Sequence, residues 1–461
     1  MHPSHRFEGL ARVQEGDVNQ SARRRRYVEE QHDELSAAVV DADAELFLHQ
    51  SLSSPCLDAV RRCGGIYLET VSGRRLMDFH GNSAHQVGYG NPRVVEAIRR
   101  QMDELPFCPR RFANQPAVDL ARKLTTLAPA PLRKVLFAPS GAVAIGIALK
   151  IARLATGRHK TLSMWGAFHG ATLEAASVGG EALFRDGLGP LLPGTEHAHP
   201  PFPYRCAYGC GGACDLRCAA ELESILARDP EIGAVVAEPV RCTVVAPPPA
   251  GYWQRVRDAC DRHGVLLVFD EIPTCLGRTG HMFACEAVGV TPDVLVMGKG
   301  LGGGIVPMAA VLARADLDVA GHRAIGHYTH EKSPVGCAAA LATIECIEAD
   351  GLLAHTRELG AHAVRRLAEL KQRHPLIGDV RGMGLLIGVE LVRDPVSRTP
   401  ASDEAEAVMY EAMARGLSFK VSGGNVLTLT PPLIITRAQL DEALDILDAS
   451  LATVTSAQTP Y

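Results

Sequence analysis

"VLLVFDEI", residues 265–272, is an apolar run that ends in two adjacent carboxylates, Asp270 and Glu271. Its unbroken apolar stretch predicts a strand buried on both faces, because a half-buried strand alternates apolar and polar residues. A carboxylate where such a strand runs out is costly unless something pairs with it. The glycine turn in "PTCLGRTG", residues 273–280, closes the segment.

Outward from this run, short apolar stretches alternate with helical patterns: "KVLFA" (134–138), "SGAVAIGIALKIARLATG" (140–157), "KTLSM" (160–164), "IGAVVAEPV" (232–240), the amphipathic "YWQRVRDACDRHG" (252–264) and "DVLVMGKG" (293–300). Strands that feed helices of this length imply crossover units, hence an α/β fold with a mostly parallel sheet and helices on both faces. Ligands in such sheets lie outside the carboxyl ends of the strands, which is where Asp270 falls.

The chain has 461 residues, 47% hydrophobic and 21% charged, enough for a large core and more than one domain. The texture predicts a polar N-terminal arm at 1–30, an N-terminal part of a small domain at 31–85, a large ligand-binding domain at 86–345 and a C-terminal α+β small domain at 346–461. In the last of these, long charged helices such as "HTRELGAHAVRRLAELKQRH" are interrupted by a turn, "GDVRGMGLLIGVEL", and a short extended run, "NVLTLTPPLII". "GGIYLETVSGRRLMDFHG" reads as a hairpin that packs on this C-terminal part.

A net charge of −5 gives no reason to expect nucleic acid, and "RRRR" at 23–26 reads as part of a solvated or partner-contacting arm. No stretch is apolar for long enough to span a bilayer, and the first thirty residues lack the apolar core of a signal peptide, so no membrane partner and a cytoplasmic location are expected. Most of the 13 cysteines sit singly in apolar runs as small hydrophobes. Cys206, Cys210, Cys214 and Cys218 fall at intervals of four and could hold zinc or an iron–sulfur cluster. The tight pairs of zinc sites are missing, so free thiols rather than a metal are expected.

A second strand end carries "MGKGLGGG", with Lys299 between two glycines. "GKGLGG" matches the dinucleotide fingerprint by count, but that fingerprint opens a helix and "IVPMAAVLARADL" reads as another strand. Taken together, Asp270 and Lys299 suit pyridoxal 5'-phosphate (PLP). A lysine with room beside it for a flat ligand suits Schiff-base formation once burial lowers its pKa, and an aspartate on a neighbouring strand suits the ring nitrogen. Ser140, Gly141 and Ala142 open a helix whose free N–H groups favour a phosphate, although a serine cap needs no ligand. "WGAFHGAT" adds Phe168, which could lie on the cofactor ring or simply in the core, and His169.

These segments, with "VVAEPV", "YTHEKSPVGCAAALATIE" and "VRGMGLLIGVEL", resemble the class III PLP-dependent aminotransferases of fold type I, from about residue 45 to the end. The resemblance implies that Lys299 binds the cofactor aldehyde covalently and Asp270 contacts the pyridine nitrogen. It implies that Gly141 and Ala142 bind phosphate, Phe168 stacks on the ring, and Glu238 lies on the substrate side. It also implies a homodimer with shared active sites, in which Thr329 reaches the cofactor of the other subunit.

Departures from the family pattern bear on substrate. Val143 and Gly146 stand where ordinary members carry acidic residues, Pro273 where they have glutamine, and Thr428 where many have the arginine that grips an α-carboxylate. A hydroxyl cannot replace a bidentate guanidinium. His330 and Lys332 in "THEKSP" add positive charge near the expected substrate pocket; facing inward, they suit a phosphate or phosphonate, while a solvated turn is the plainer reading. The pattern "FHGN", "APSGAVAIG", "DEIPT", "HYTHEKSP" is similar to family members that are ammonia-lyases of aminophosphonates. A small-molecule aminophosphonate substrate is therefore expected; an aminotransferase for an amine or ω-amino acid with a 2-oxo acid acceptor is the alternative.

Overall fold

The computed structural model describes residues 21–210 and 214–456. Seven strands build the central sheet: β1 (Leu132–Ala138), β2 (Lys160–Met164), β3 (Thr195–Ala198), β4 (Ile232–Ala237), β5 (Leu266–Asp270), β6 (Val294–Met297) and β7 (Ala309–Arg314). Their order is β1-β7-β6-β5-β4-β2-β3. All pairs are parallel except those of β7, which runs antiparallel to both β1 and β6.

Every residue of β4, β5 and β6 is buried, as their apolar runs require. On β5, Leu267 and Phe269 join the apolar cluster that contains Trp253, while Val268 joins the one that contains Ile147 of helix Gly141–Thr156. Alternate side chains thus enter helix-covered layers on opposite faces of the sheet. After Lys299 the chain makes only a short 3-10 turn, Lys299–Gly302, before β7, so "GKGLGG" opens no helix of the dinucleotide kind.

Two smaller sheets complete the described chain. "GDVRGMGLLIGVEL" is more than a turn: it forms the antiparallel pair Ile377–Met383 and Leu386–Asp394, which continues through Val426–Leu429 to Lys420–Ser422. Gly384, at φ +59°, makes the tight reversal between the first two strands. The N-terminal hairpin Val60–Gly64 and Tyr67–Thr70 extends to Arg75–Asp78, which pairs in parallel with Leu417–Ser418 from the distant end of the chain.

"RRRR" lies within helix Ala22–Gln31, where Arg24 is docked while Arg23, Arg25 and Arg26 are exposed. Arg24 is buried and donates from Nη2 to the Pro55 carbonyl at 2.7 Å, while the Tyr27 ring lies 5.2 Å from that of Tyr410. Burial of this arginine is tolerated because a carbonyl receives its charge. Residues 1–20 of the expected arm lie outside the described residues. Among the described residues no helix is long and apolar enough to cross a membrane.

Candidate active site

The two carboxylates at the end of β5 part company. Glu271 is fully buried, and its oxygens accept the backbone N–H groups of Ala284 and Cys285 at the start of helix Ala284–Val288. Burial pushes its pKa up to about 7 against those hydrogen bonds. Asp270 is also buried, but its Oδ2 lies 2.8 Å from His169 Nδ1, and its Oδ1 accepts the Ile272 N–H at 3.0 Å. His169 Nε2 is 3.3 Å from Ser163 Oγ on β2. Burial works against a charge on His169, but the hydrogen bond to Asp270 and the charges of Asp270 and Glu238 outweigh it and hold the pKa above the ordinary value.

Lys299 stands one strand away. Asp270 is in register with Val296 of β6, so the chain turns at Gly298 and Lys299 directly beyond that pairing. Lys299 has φ +46°, a left-handed conformation strained for a side-chain-bearing residue and characteristic of functional positions. Its side chain is exposed, in contrast to the burial expected from the sequence. Gly300 has a steric role of its own, because a Cβ there would meet Gln86 Oε1 at 1.9 Å.

Helix Gly141–Thr156 begins beside the same strand end. Ser140 is its N-cap, with Oγ accepting the Val143 N–H at 3.4 Å. A Cβ on Gly141 would stand 2.7 Å from Ile272 Cδ1, so the first helical turn lies against the residue two beyond Asp270. The N–H groups of Gly141 and Ala142 have no acceptor within the helix, which suits an anion. Gly170 packs on Ala142, where a Cβ would be 2.5 Å from that of Ala142. Gly146 has a close neighbour too: a Cβ there would be 2.8 Å from Glu174 Oε1, so Glu174 of helix Leu173–Val178 lies against it.

Glu238, just past β4, accepts the Cys242 N–H on Oε1 at 3.1 Å, while its buried Oε2 has no hydrogen-bond partner. Burial raises its pKa. Phe168 is half-buried with its ring 4.3 Å from Phe184. Thr329, His330 and Lys332 are all exposed on this chain. His330 sets its ring edge-on to Phe107 at 5.4 Å, and Lys332 offers its carbonyl to Asn114 Nδ2 at 3.1 Å. Asp270, His169 and Glu238 therefore come together with the Gly141 helix and Lys299 at one end of the sheet, whereas Thr329, His330 and Lys332 remain on the surface. The sequence carried no sign of the Asp270–His169 contact.

A flat, phosphorylated, nitrogen-containing ring suits these residues. The glycines at 141, 298 and 300 let Ile272, Ala309 and Gln86 pack closely beneath the strand end, the helix start attracts phosphate, and Glu238 Oε2 is a buried acceptor still to be satisfied. Cys206, Cys210, Cys214 and Cys218 are free thiols, with Cys210 Sγ donating to Asp215 Oδ1 at 3.3 Å. Among the described residues no group of three or more histidine, cysteine or acidic side chains is placed to hold a metal ion.

The chain belongs to the class III aminotransferases, whose family model matches residues 50–451. It is 46% identical over 455 residues to the (R)-1-hydroxy-2-aminoethylphosphonate ammonia-lyase of Vibrio splendidus (strain 12B01), covering 95% of each chain. It is 38% identical to the leucine/methionine racemase of Thermococcus litoralis, over 83% of this chain and 88% of that one. Among solved structures, an amine transaminase from an uncultivated Pseudomonas species in its PLP-bound form superposes with a TM-score of 0.83 at 32% identity, covering 89% of this chain and 99% of the other. The protein is accordingly a PLP enzyme of fold type I.

Proposed function

We propose that the protein is an ammonia-lyase that converts (R)-1-hydroxy-2-aminoethylphosphonate to phosphonoacetaldehyde and ammonia. The observation that carries this reading against transamination is Thr428. It is buried, and its hydroxyl is already spent within the fold, within 3.3 Å of the Thr243 carbonyl and 3.2 Å of Ser422 Oγ. A hydroxyl so held makes no clamp for the carboxylate of a 2-oxo acid, and a lyase needs no such acid. The likeness to the Vibrio splendidus lyase over nearly the whole chain supports the same substrate class.

Asp270 would hold the ring nitrogen of PLP, Gly141 and Ala142 its phosphate, Phe168 its ring face and Lys299 its aldehyde. Bound there, PLP supplies an electron sink for the carbon that carries the substrate amine. The ε-amine of Lys299 would take the proton from that carbon and pass it to the neighbouring hydroxyl, which is expelled by the electron pair so released and leaves as water. The resulting enamine takes up one water and loses ammonia, so the net change is the substrate split into aldehyde and ammonia without oxidant or acceptor. His169 fixes the orientation of Asp270 throughout.

A homodimer with shared sites and a cytoplasmic location belong to the same reading. The exposure of Thr329, and of the apolar Phe107 and Phe112 nearby, supports a covering subunit. The test is incubation with the hydroxyaminophosphonate and no 2-oxo acid. Ammonia released over many turnovers is expected; at most one equivalent per site refutes the lyase.

A further inference from the structure

Resting on the reading that puts Glu238 on the substrate side, we propose that Arg381 is a positioning residue: it clamps the turn 242–246 and so fixes the Glu238 carboxylate within the site. Glu238 stands just past β4, and the chain after it folds back tightly. The Val245 N–H donates to the Cys242 carbonyl at 3.2 Å, and the Ala246 N–H to the Arg241 carbonyl at 2.9 Å. Val245 has φ +48°, a left-handed conformation that is a genuine outlier for a β-branched residue. Strain of this kind persists only where the surrounding structure over-determines it.

One face of the C-terminal sheet does so. Arg381 is the register partner of Gly388, and Gly388 of Thr428, so the three form a row across neighbouring strands and share a face. At one end of the row Thr428 donates its hydroxyl to the Thr243 carbonyl at 3.3 Å. At the other, Arg381 donates from Nη2 to the Val244 carbonyl and from Nε to the Val245 carbonyl, each at 2.6 Å. Between them Gly388 leaves room for the strained residue, because a Cβ there would stand 2.9 Å from that of Val245. Three successive carbonyls of the turn are thus held by one row of residues. Arg381 is itself fixed: Nη1 lies 2.8 Å from both Asp379 Oδ2 and the buried Glu390 Oε2, and its guanidinium carbon lies 4.7 Å from the centre of the Phe202 ring.

The other end of the turn holds Glu238. The Cys242 N–H donates to its Oε1 at 3.1 Å, while Oε2 is buried without a hydrogen-bond partner. One oxygen is therefore spent on the turn and the other is left for the site, so a turn that shifts carries the carboxylate with it. A planar fork of donors suits this task, because it reaches two carbonyls and two carboxylates at once.

Hydrogen-exchange mass spectrometry of the full PLP-loaded chain reads the clamp directly. Arg381→Met should speed exchange over 239–247 by roughly 10- to 100-fold, the worth of hydrogen bonds from a charged group, while β4 and β5 keep their wild-type protection. A merely structural arginine would loosen those strands as well. Arg381→Lys keeps a cation beside Asp379 and Glu390 but cannot fork across two carbonyls; it should show a smaller rise, and serves if the methionine variant does not fold. With the hydroxyaminophosphonate, both variants should lower kcat/KM, mainly through KM, by up to roughly 100-fold. Adding Val245→Gly, which adopts a positive φ freely, should return most of that loss. Wild-type exchange over 239–247 in a folded variant, wild-type kcat/KM beside faster exchange, or no rescue by Val245→Gly overturns the proposal. Glu238→Gln with an unchanged KM removes the Glu238 reading and the proposal with it. Should wild type release no ammonia, the lyase reading falls, and exchange alone then decides the clamp.

Discussion

His169 Nδ1 lies 2.8 Å from Asp270 Oδ2, with both side chains buried between β2 and β5. The histidine is the donor, so the carboxylate is oriented by a group outside the cofactor it serves. Its other oxygen is held by the Ile272 N–H. This is a buried polar pair in which neither member is left unsatisfied.

Asp270→Asn should lower kcat by about 10²- to 10³-fold, as removal of one preorganised electrostatic partner does elsewhere. It should also change His169. Its folded pKa lies above the ordinary 6.5, so the stability it contributes is complete below that value and is lost as pH rises through the folded one. Without the carboxylate, burial dominates and the sign reverses. Histidine NMR titration of both proteins checks this, and an unchanged His169 titration would contradict it.

Lys299→Ala should leave the cofactor bound only noncovalently. Borohydride treatment should then fix no PLP to the chain, and activity should fall by about 10²- to 10⁴-fold or more, the worth of a positioned base. Mass spectrometry of the reduced protein reads the first effect; a covalent adduct at any other lysine would argue against the assignment.

Gly300→Ala should cost about 1–3 kcal/mol by overpacking, because its Cβ would meet Gln86 Oε1 at 1.9 Å and Gln86 is buried, donating to the Ser83 carbonyl. Adding Gln86→Ala should return part of the loss. Denaturant unfolding of the single and double variants measures the coupling, and strict additivity would be the adverse result.

Glu271 gives stability a pH dependence. Its folded pKa of about 7 lies above the ordinary 4.5, so the folded state holds a proton that the unfolded state gives up. Its contribution is therefore full below pH 4.5 and lost as pH rises through about 7. Glu271→Gln should flatten the unfolding free energy across that window. The variant should also be less stable at low pH, because one oxygen that accepts a helix-end N–H becomes an NH₂ group.

The large sheet was legible because strands buried on both faces leave no choice of residue. "LLVF", "IGAVVA" and "VLVM" carry no polar side chain, and all lie in buried strands. Strand β3, "TEHA", passed unnoticed because an edge strand that is only partly buried carries no apolar run. "GDVRGMGLLIGVEL" reads as a turn because four glycines punctuate it, and only the pairing of its two halves, continued through Val426–Leu429, makes it a sheet.

Sequence by itself therefore determined that Asp270 and Lys299 each stand where an apolar strand runs out and that a helix starts after Ser140, since strand ends and helix caps are written in consecutive residues. Tertiary structure alone decided what meets there. His169 and Asp270 are 101 residues apart, Glu174 lies against Gly146, and Lys420 reaches Thr428's strand only through antiparallel pairing. Such contacts depend on how separate elements pack, and no local preference along the chain encodes that packing.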